Sequence, residues 1–476
     1  MVLPTIFNVK FNWGIYILIL IFIRIIFPQM AWTSIIALGI TLNQFMLLFN
    51  SIGSILPIRY LAGSFMCLQM LLGPTLAYNG LDKYQWLEYQ MKIPASEYFI
   101  YAIPGVILFI IGLHVTAGKL NGEILNRKEI ARFVNNSGNL PYLLIVLGFS
   151  SSFLASLLGA ASLAFVFYLL SGFKYIGTFM LLLGTRQVKT WILVLVFGSI
   201  ISSSLQSAMF HDLLTWLIML GAIMAIKFKP TLLVKSVAAI SFTLIAVVIQ
   251  QVKKDYREST SSGAGGGLEA FRNSIEKKEE NNSLFSGSSL AKSNVRINQG
   301  YILTNIMKTV PDKIPFENGT EMMRIFEAAF LPRIIAPNKL NAGDRTIFTR
   351  YSGLVLQPGT SMGLGTMGDA YINWGIAGGC IFMFLFGLLF SEVLNKFQKY
   401  SKYYPFLLLF TPLVFYYPIR PDCELQTSLG HLVKSCFLIY LIVIFWKKDL
   451  HKVMSKKQVK VVASEQVSDK ITFDYS

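Results

Sequence analysis

The amino-acid sequence predicts an all-α fold: a polytopic bundle of about twelve membrane-crossing helices, with one long outer loop carrying short amphipathic helices. Three observations predict it. The chain is 54% hydrophobic and only 14% charged, with a mean hydropathy of +0.55, whereas soluble domains carry about 25% charged residues. Its charges are clumped, leaving apolar stretches of the length that crosses a bilayer as a helix, about 18 residues or more. Those stretches are too long and too uniformly apolar for barrel strands, which alternate over about 10 residues. In hydrocarbon each backbone N–H and C=O must be satisfied within its own segment, so helices are the expected form.

The apolar windows, in order, are 11–28, 31–50, 59–79, 98–118, 141–157, 160–182, 188–205, 208–226, 233–250, 372–391, 404–419 and 428–446. No small-residue cleavage site follows the first, which therefore reads as a span and not as a removable signal. The region 141–184 admits more than one division. The chain thus divides into an N-terminal bundle (1–250), an outer loop (251–371), C-terminal spans (372–446) and a basic tail (447–476).

The connections between windows carry an uneven charge. One face collects Lys10, Arg59, Lys119, Arg127, Lys128, Arg132, Arg186, Lys189, Lys227, Lys229, Lys235, Lys396, Lys399, Lys402 and the Lys-rich tail. The other, outside the long loop, has only Lys83, Lys92 and Arg420. The positive-inside rule then predicts cytoplasmic termini and an outward-facing loop. The net charge of +17 points to anionic lipid as the partner of these basic segments, not to nucleic acid. Arg24, Lys174 and Lys434 fall inside apolar windows. Such charges cost about 2.5–3.5 kcal/mol to insert, so they face the bundle interior or snorkel.

Within the loop, 259–294 is rich in Ser, Gly and Asn and reads as flexible, with a short helix near 268–280. Residues 297–331 show helical apolar periodicity, broken by Pro311 and Pro315, as in helices lying on the membrane or packed over the bundle. Cys67, Cys380, Cys423 and Cys436 form no C-x-x-C pair and no zinc spacing. No nucleotide-binding, haem or dinucleotide motif is present, and no cofactor is expected.

Three motifs then carry a resemblance: Leu331-Pro332-Arg333-Ile334-Ile335-Ala336-Pro337-Asn338-Lys339, Gly368-Asp369-Ala370-Tyr371-Ile372-Asn373-Trp374-Gly375, and Ile419-Arg420-Pro421-Asp422. With the hydropathy pattern, they resemble the Wzy-type O-antigen and exopolysaccharide polymerases of bacteria, although relatives often hold Glu at the position of Asp369. The resemblance implies a glycosyltransferase in the bacterial inner membrane, with a periplasmic active site. It would move a glycan from an undecaprenyl-diphosphate carrier to the sugar of an incoming lipid-linked repeat unit. Membrane lipid, a chain-length regulator and a flippase are the expected partners.

That chemistry needs particular residue types. A departing lipid diphosphate needs positive groups, and the planar guanidinium fork suits phosphate. The outer candidates are Arg333, Arg345, Arg350 and Arg420, with Lys339, Tyr371 and Asn373 beside them. The acceptor hydroxyl needs a base: Asp369, Asp422 or His211, with Glu424 and His431 as further outer-side groups. Asp422-Cys423-Glu424 is the one D-x-E-like pair, a weak metal signal, and no metal is expected. Plainer roles stand beside each. Asn373 can cap the following helix, Asp212 can cap its own, and Tyr371 and Trp374 suit an interfacial aromatic belt. A lipid-linked glycan flippase, an O-antigen ligase and a non-enzymatic assembly factor are the competing functions.

Overall fold

The computed structural model describes residues 12–117, 123–158, 164–184, 189–207, 210–261, 268–280, 286–331, 333, 335–356 and 362–455. Among these, every regular element is a helix. Lys10, Lys119, Arg186, the Gly-rich 262–267 and the tail from 456 lie outside the described residues.

The architecture is that of a multi-pass membrane protein. Among the described residues, eight helices are long and apolar enough to cross a bilayer, or nine if the pair Arg127–Ser137 and Leu140–Ala155, bent by 80°, counts as one span. Six precede the loop: α1 (Trp32–Ser51), α2 (Ile58–Tyr78), α3 (Ala95–His114), α4 (Phe165–Gly184), α5 (His211–Phe228) and α6 (Leu232–Lys253). The loop contributes α7 (Gly287–Ile297), α8 (Gly300–Thr309), α9 (Thr320–Phe330) and α10 (Arg345–Ser352). The last two spans are α11 (Gly365–Tyr400) and α12 (Leu425–Phe445). Three expected windows became shorter apolar helices, Trp13–Ile26, Thr190–Gln206 and Pro405–Val414. At about 1.5 Å per residue these fall short of a hydrocarbon core about 30 Å thick.

Two breaks shape the core. Pro74 has no N–H, and the turn before it widens to a π-helix over Leu68–Leu72, with the Gly73 amide bonding to the Leu68 carbonyl. The Gln69 and Met70 carbonyls lose their helical partners. Gln299 N donates to the first at 3.1 Å, and the Tyr98 hydroxyl to the second at 2.8 Å. The other break is Gly375 in α11, at φ 63° and ψ −155°. There the Ile372 and Asn373 carbonyls accept from Glu317 N at 2.9 Å and Asn318 N at 3.1 Å. Donors from the long loop thus close the second break, and share the first with Tyr98 of α3. A close approach permits the first closure, since a Cβ on Gly73 would lie 2.8 Å from the Asn298 Cα.

The loop is more ordered than its composition suggests. Leu268–Glu280 is the short helix read near 268–280, and α7 is a further helix in the stretch expected to be flexible. Tertiary bonds explain α7: Asn294 Nδ2 donates to the Gly73 carbonyl at 3.0 Å, and Gln251 Nε2 to Ser289 O at 2.6 Å.

At the end of the bundle away from the loop, Arg59 is buried at 2% exposure. Its Nε donates to Glu123 Oε1 at 2.5 Å, its Nη1 to Ser391 Oγ at 2.6 Å and its Nη2 to Asn395 Oδ1 at 2.9 Å. One guanidinium therefore ties α2, the 123 segment and α11 together. A residue expected to face the cytoplasmic lipid surface is instead a buried clamp, because Glu123 accompanies it into the interior. Lys235 Nζ at the same end donates to Ile52 O at 2.5 Å, and Arg127 Nη1 to Lys227 O at 2.9 Å.

Arg59→Ala strands a buried carboxylate and should cost about 3–5 kcal/mol, read as a lower thermal midpoint in detergent. Arg59→Met paired with Glu123→Leu should recover most of that loss. Gly375→Ala forces a glycine-only conformation on a side chain and brings its Cβ within 3.1 Å of the Phe316 ring. A loss of about 1–3 kcal/mol is expected in the same assay.

Candidate functional site

The starts of α5, α11 and α12, the π turn of α2 and α8–α10 meet at the loop-bearing end of the bundle. The segment 416–425 threads through this meeting point. Its charged and polar groups hold it from several sides.

A cleft of about 40 Å³ opens there between α9, α10, the start of α11 and the start of α12. Among the described residues four carboxylates line it, Glu321, Asp344, Asp369 and Glu424, and no Lys or Arg does. Asp369 is buried, and its Oδ2 accepts from Leu425 N at 3.2 Å. Both oxygens of Glu424 accept from Gly343 N at 2.9 Å. Burial pushes the Glu424 carboxyl above its ordinary range, against the Gly343 amide, which favours its charged form, and with help from the Asp344 charge. The cleft has room for water but not for a hexose.

Beside the cleft stands Arg420, whose side chain is 16% exposed. Nη2 bonds Asp422 Oδ2 at 3.0 Å, while Nη1 is buried and has no hydrogen-bond partner among the described residues. Asp422 Oδ1 also accepts from Gln69 Nε2 at 3.0 Å. Burial alone would raise the Asp422 carboxyl, but the Arg420 charge and the bonds from Arg420 and Gln69 outweigh it and hold it below the usual range. Nearby, Asp212 Oδ1 lies 2.7 Å from His211 Nε2 and accepts from the Tyr416 hydroxyl. Asp212 is the acidic residue in the first turn of its helix, whose N-cap is Phe210.

The structure therefore gathers Asp369, Asp422, Arg420 and His211 around one segment, but it does not build a pocket from the four arginines. Arg333 is exposed and donates to Asn341 Oδ1 at 2.5 Å. Arg345 donates to Leu356 O at 2.5 Å. Arg350, exposed, bonds Glu317 Oε1 at 3.0 Å. Arg345 and Arg350 sit on α10, where local acceptors hold them outside the cleft. Lys339 Nζ donates to the Ala328 carbonyl at 3.0 Å and also to that of Leu331. Tyr371 is not interfacial: it is buried between Tyr101 and Phe316, with ring centroids 5.3 and 5.8 Å away. Asn373, fully buried, caps α9 and not the helix that follows it, its Oδ1 accepting from Met322 N at 3.2 Å.

Asp422 and Glu424 turn to different partners, so the D-x-E pair does not converge on one point. Among the described residues no three His, Cys, Asp or Glu side chains group so as to hold a metal ion. Gln69, Glu321, Asp344 and Tyr416 went unread in the sequence. Gln69 had one signal, a lone amide in an apolar window. Glu321 and Asp344 look like ordinary helix-start acids.

The model of a domain of unknown function, DUF8712, matches residues 81–420. The matched stretch takes in the folded loop, Asp369 and Arg420, and stops short of Asp422. No curated protein and no solved structure matches the chain.

Because the folded-state carboxyl of Asp422 ionises below its unfolded range, its stabilising contribution is complete above about pH 4 and fades as pH falls further. Thermal midpoints in detergent between pH 7 and 3 should show an acid-limb loss that is smaller in Asp422→Asn. Equal losses in both proteins would refute the assignment.

Proposed function

The chain belongs to the DUF8712 family, and from the enclosed Arg420 and the carboxylates beside it we propose that it is a membrane glycosyltransferase. It polymerises undecaprenyl-diphosphate-linked repeat units at the periplasmic face of a bacterial inner membrane, with both termini cytoplasmic. The observation that carries this reading is the buried Nη1 of Arg420, which has no hydrogen-bond partner among the described residues. An unpaired guanidinium nitrogen at such a place costs about 1–3 kcal/mol or more, which an anionic ligand would return. The motif resemblance supports the same class.

In this mechanism the acceptor hydroxyl attacks the anomeric carbon of the donor glycan. The bond from that carbon to the diphosphate oxygen breaks, and its electron pair leaves with the lipid diphosphate. Arg420 offsets the charge developing there. The hydroxyl proton passes to a carboxylate, for which Asp369 is assigned because it lines the cleft. Direct displacement inverts the anomeric centre. His211, held by Asp212, is the second base to test. The loop at 340–348 and the segment Met362–Leu364 must part to admit a saccharide.

Purified protein in nanodiscs, supplied with lipid-linked repeat units, should build a ladder of longer glycans. Arg420→Ala should slow it by about 10²–10³-fold, and Asp369→Asn should abolish extension while His211→Gln keeps it. Transfer to a lipid A core without a ladder would make the protein a ligase, and translocation without new linkages a flippase. Undiminished chain growth in cells lacking the protein would end the proposal.

A further inference from the structure

A second cationic group lies beyond the cleft, where α9 packs on α12. Lys434 sits in the middle of the apolar α12. Its ammonium turns back toward the start of that helix and would lie 3.6 Å from a Cβ on Gly430, one turn earlier. The same Gly430 position is 3.6 Å from the Cα of Ala329 on α9. Lys339 Nζ reaches the neighbouring Ala328 carbonyl at 3.0 Å, and the charges of Lys339 and Arg333 both act on Lys434. Three cations thus share the C-terminal end of one short helix.

Helix carbonyls account for Lys339, but they leave Lys434 without an anion. Its contact is the Phe165 ring, with the ammonium 4.7 Å from the centroid. Among the described residues no carboxylate lies within ion-pair distance of Lys434, Lys339 or Arg333. Burial and the Arg333 charge hold the Lys339 ammonium below its ordinary range, with Glu327 acting the other way. An intramembrane charge with no protein counter-ion marks a site for a ligand that supplies one. The cations stand beside an open hollow of about 720 Å³ along α9, where Met323, Phe326, Phe330 and Leu331 form an apolar track beside Thr320, Arg324 and Glu327. A charged group next to a hydrocarbon track fits an amphiphile better than a free ion.

We propose that Lys434, Lys339 and Arg333 form a lateral seat for a phosphate-bearing lipid headgroup, with the lipid's chain lying along the exposed apolar face of α9. The seat lies apart from the carboxylate cleft, so it holds a carrier lipid before or after the transfer step. The choice of a polyprenyl diphosphate as occupant rests on the function proposed above; the seat itself rests on the geometry.

The test is native mass spectrometry of the full-length protein released from nanodiscs, titrated with undecaprenyl diphosphate and, separately, with inorganic diphosphate. Lys434→Gln and Lys339→Gln should each weaken lipid binding about tenfold, the loss of one charge-assisted contact, while Lys434→Arg retains it and the thermal midpoint of Lys434→Gln stays unchanged. Inorganic diphosphate should bind far more weakly than the lipid; equal affinity would overturn the hydrocarbon track. Wild-type affinity in a folded Lys434→Gln protein would overturn the seat alone, leaving the Arg420 ladder experiment to decide the function. Absence of lipid binding by the wild-type protein would overturn both.

Discussion

Backbone carbonyls released inside a bilayer need a donor, and that constraint organises this protein. Pro74 and Gly375 each interrupt a long apolar helix and release carbonyls that need another donor. The chain between α6 and α11 supplies most of the repair, with Gln299, Glu317 and Asn318 all donating backbone N–H groups, and Tyr98 of α3 supplies the rest. The long loop is therefore part of the bundle's hydrogen-bonding system and not an appendage. Its order follows from the breaks it closes, and the breaks are tolerable because it closes them.

This dependence also locates the chemistry. The widened turn that releases the Gln69 carbonyl presents the Gln69 side chain to Asp422. Asn373, which bonds back to the Asp369 carbonyl, fixes the start of α9 at the same time. Helix irregularities of this kind often accompany functional sites, and here two of them converge on one short segment. Arg420 is enclosed because that segment is gripped from α2, α11 and the loop together.

Much of the helical framework was legible in the amino-acid order, since long apolar windows leave few alternatives to a helix in lipid. The 302–307 and 322–331 periodicities likewise announced α8 and α9. What stayed hidden was pairing over long sequence distance. Nothing local to Gln69 names Asp422, and nothing near Arg59 names Glu123 or Ser391. The candidate site was half visible: the Asp369 and Arg420 motifs stood out, and they do meet around one loop. The arginines of α10 stood out equally and were captured by Leu356 and Glu317, because a short helix satisfies its cations with whatever acceptor lies nearest.

Helix α6 is scarcely buried, with Val234, Val237, Ile240, Leu244 and Ile245 all turned outward. Hydrogen bonds fasten it near its two ends, at Lys235 to Ile52 and at Gln251 to α7. A rod held mainly at its extremities and bathed in acyl chains tilts when the surrounding hydrocarbon thickens or thins. Such a tilt would pull on α7, and through Asn294 on the widened turn of α2. Lipid composition thereby acquires a mechanical route to the polar segment at the heart of the molecule.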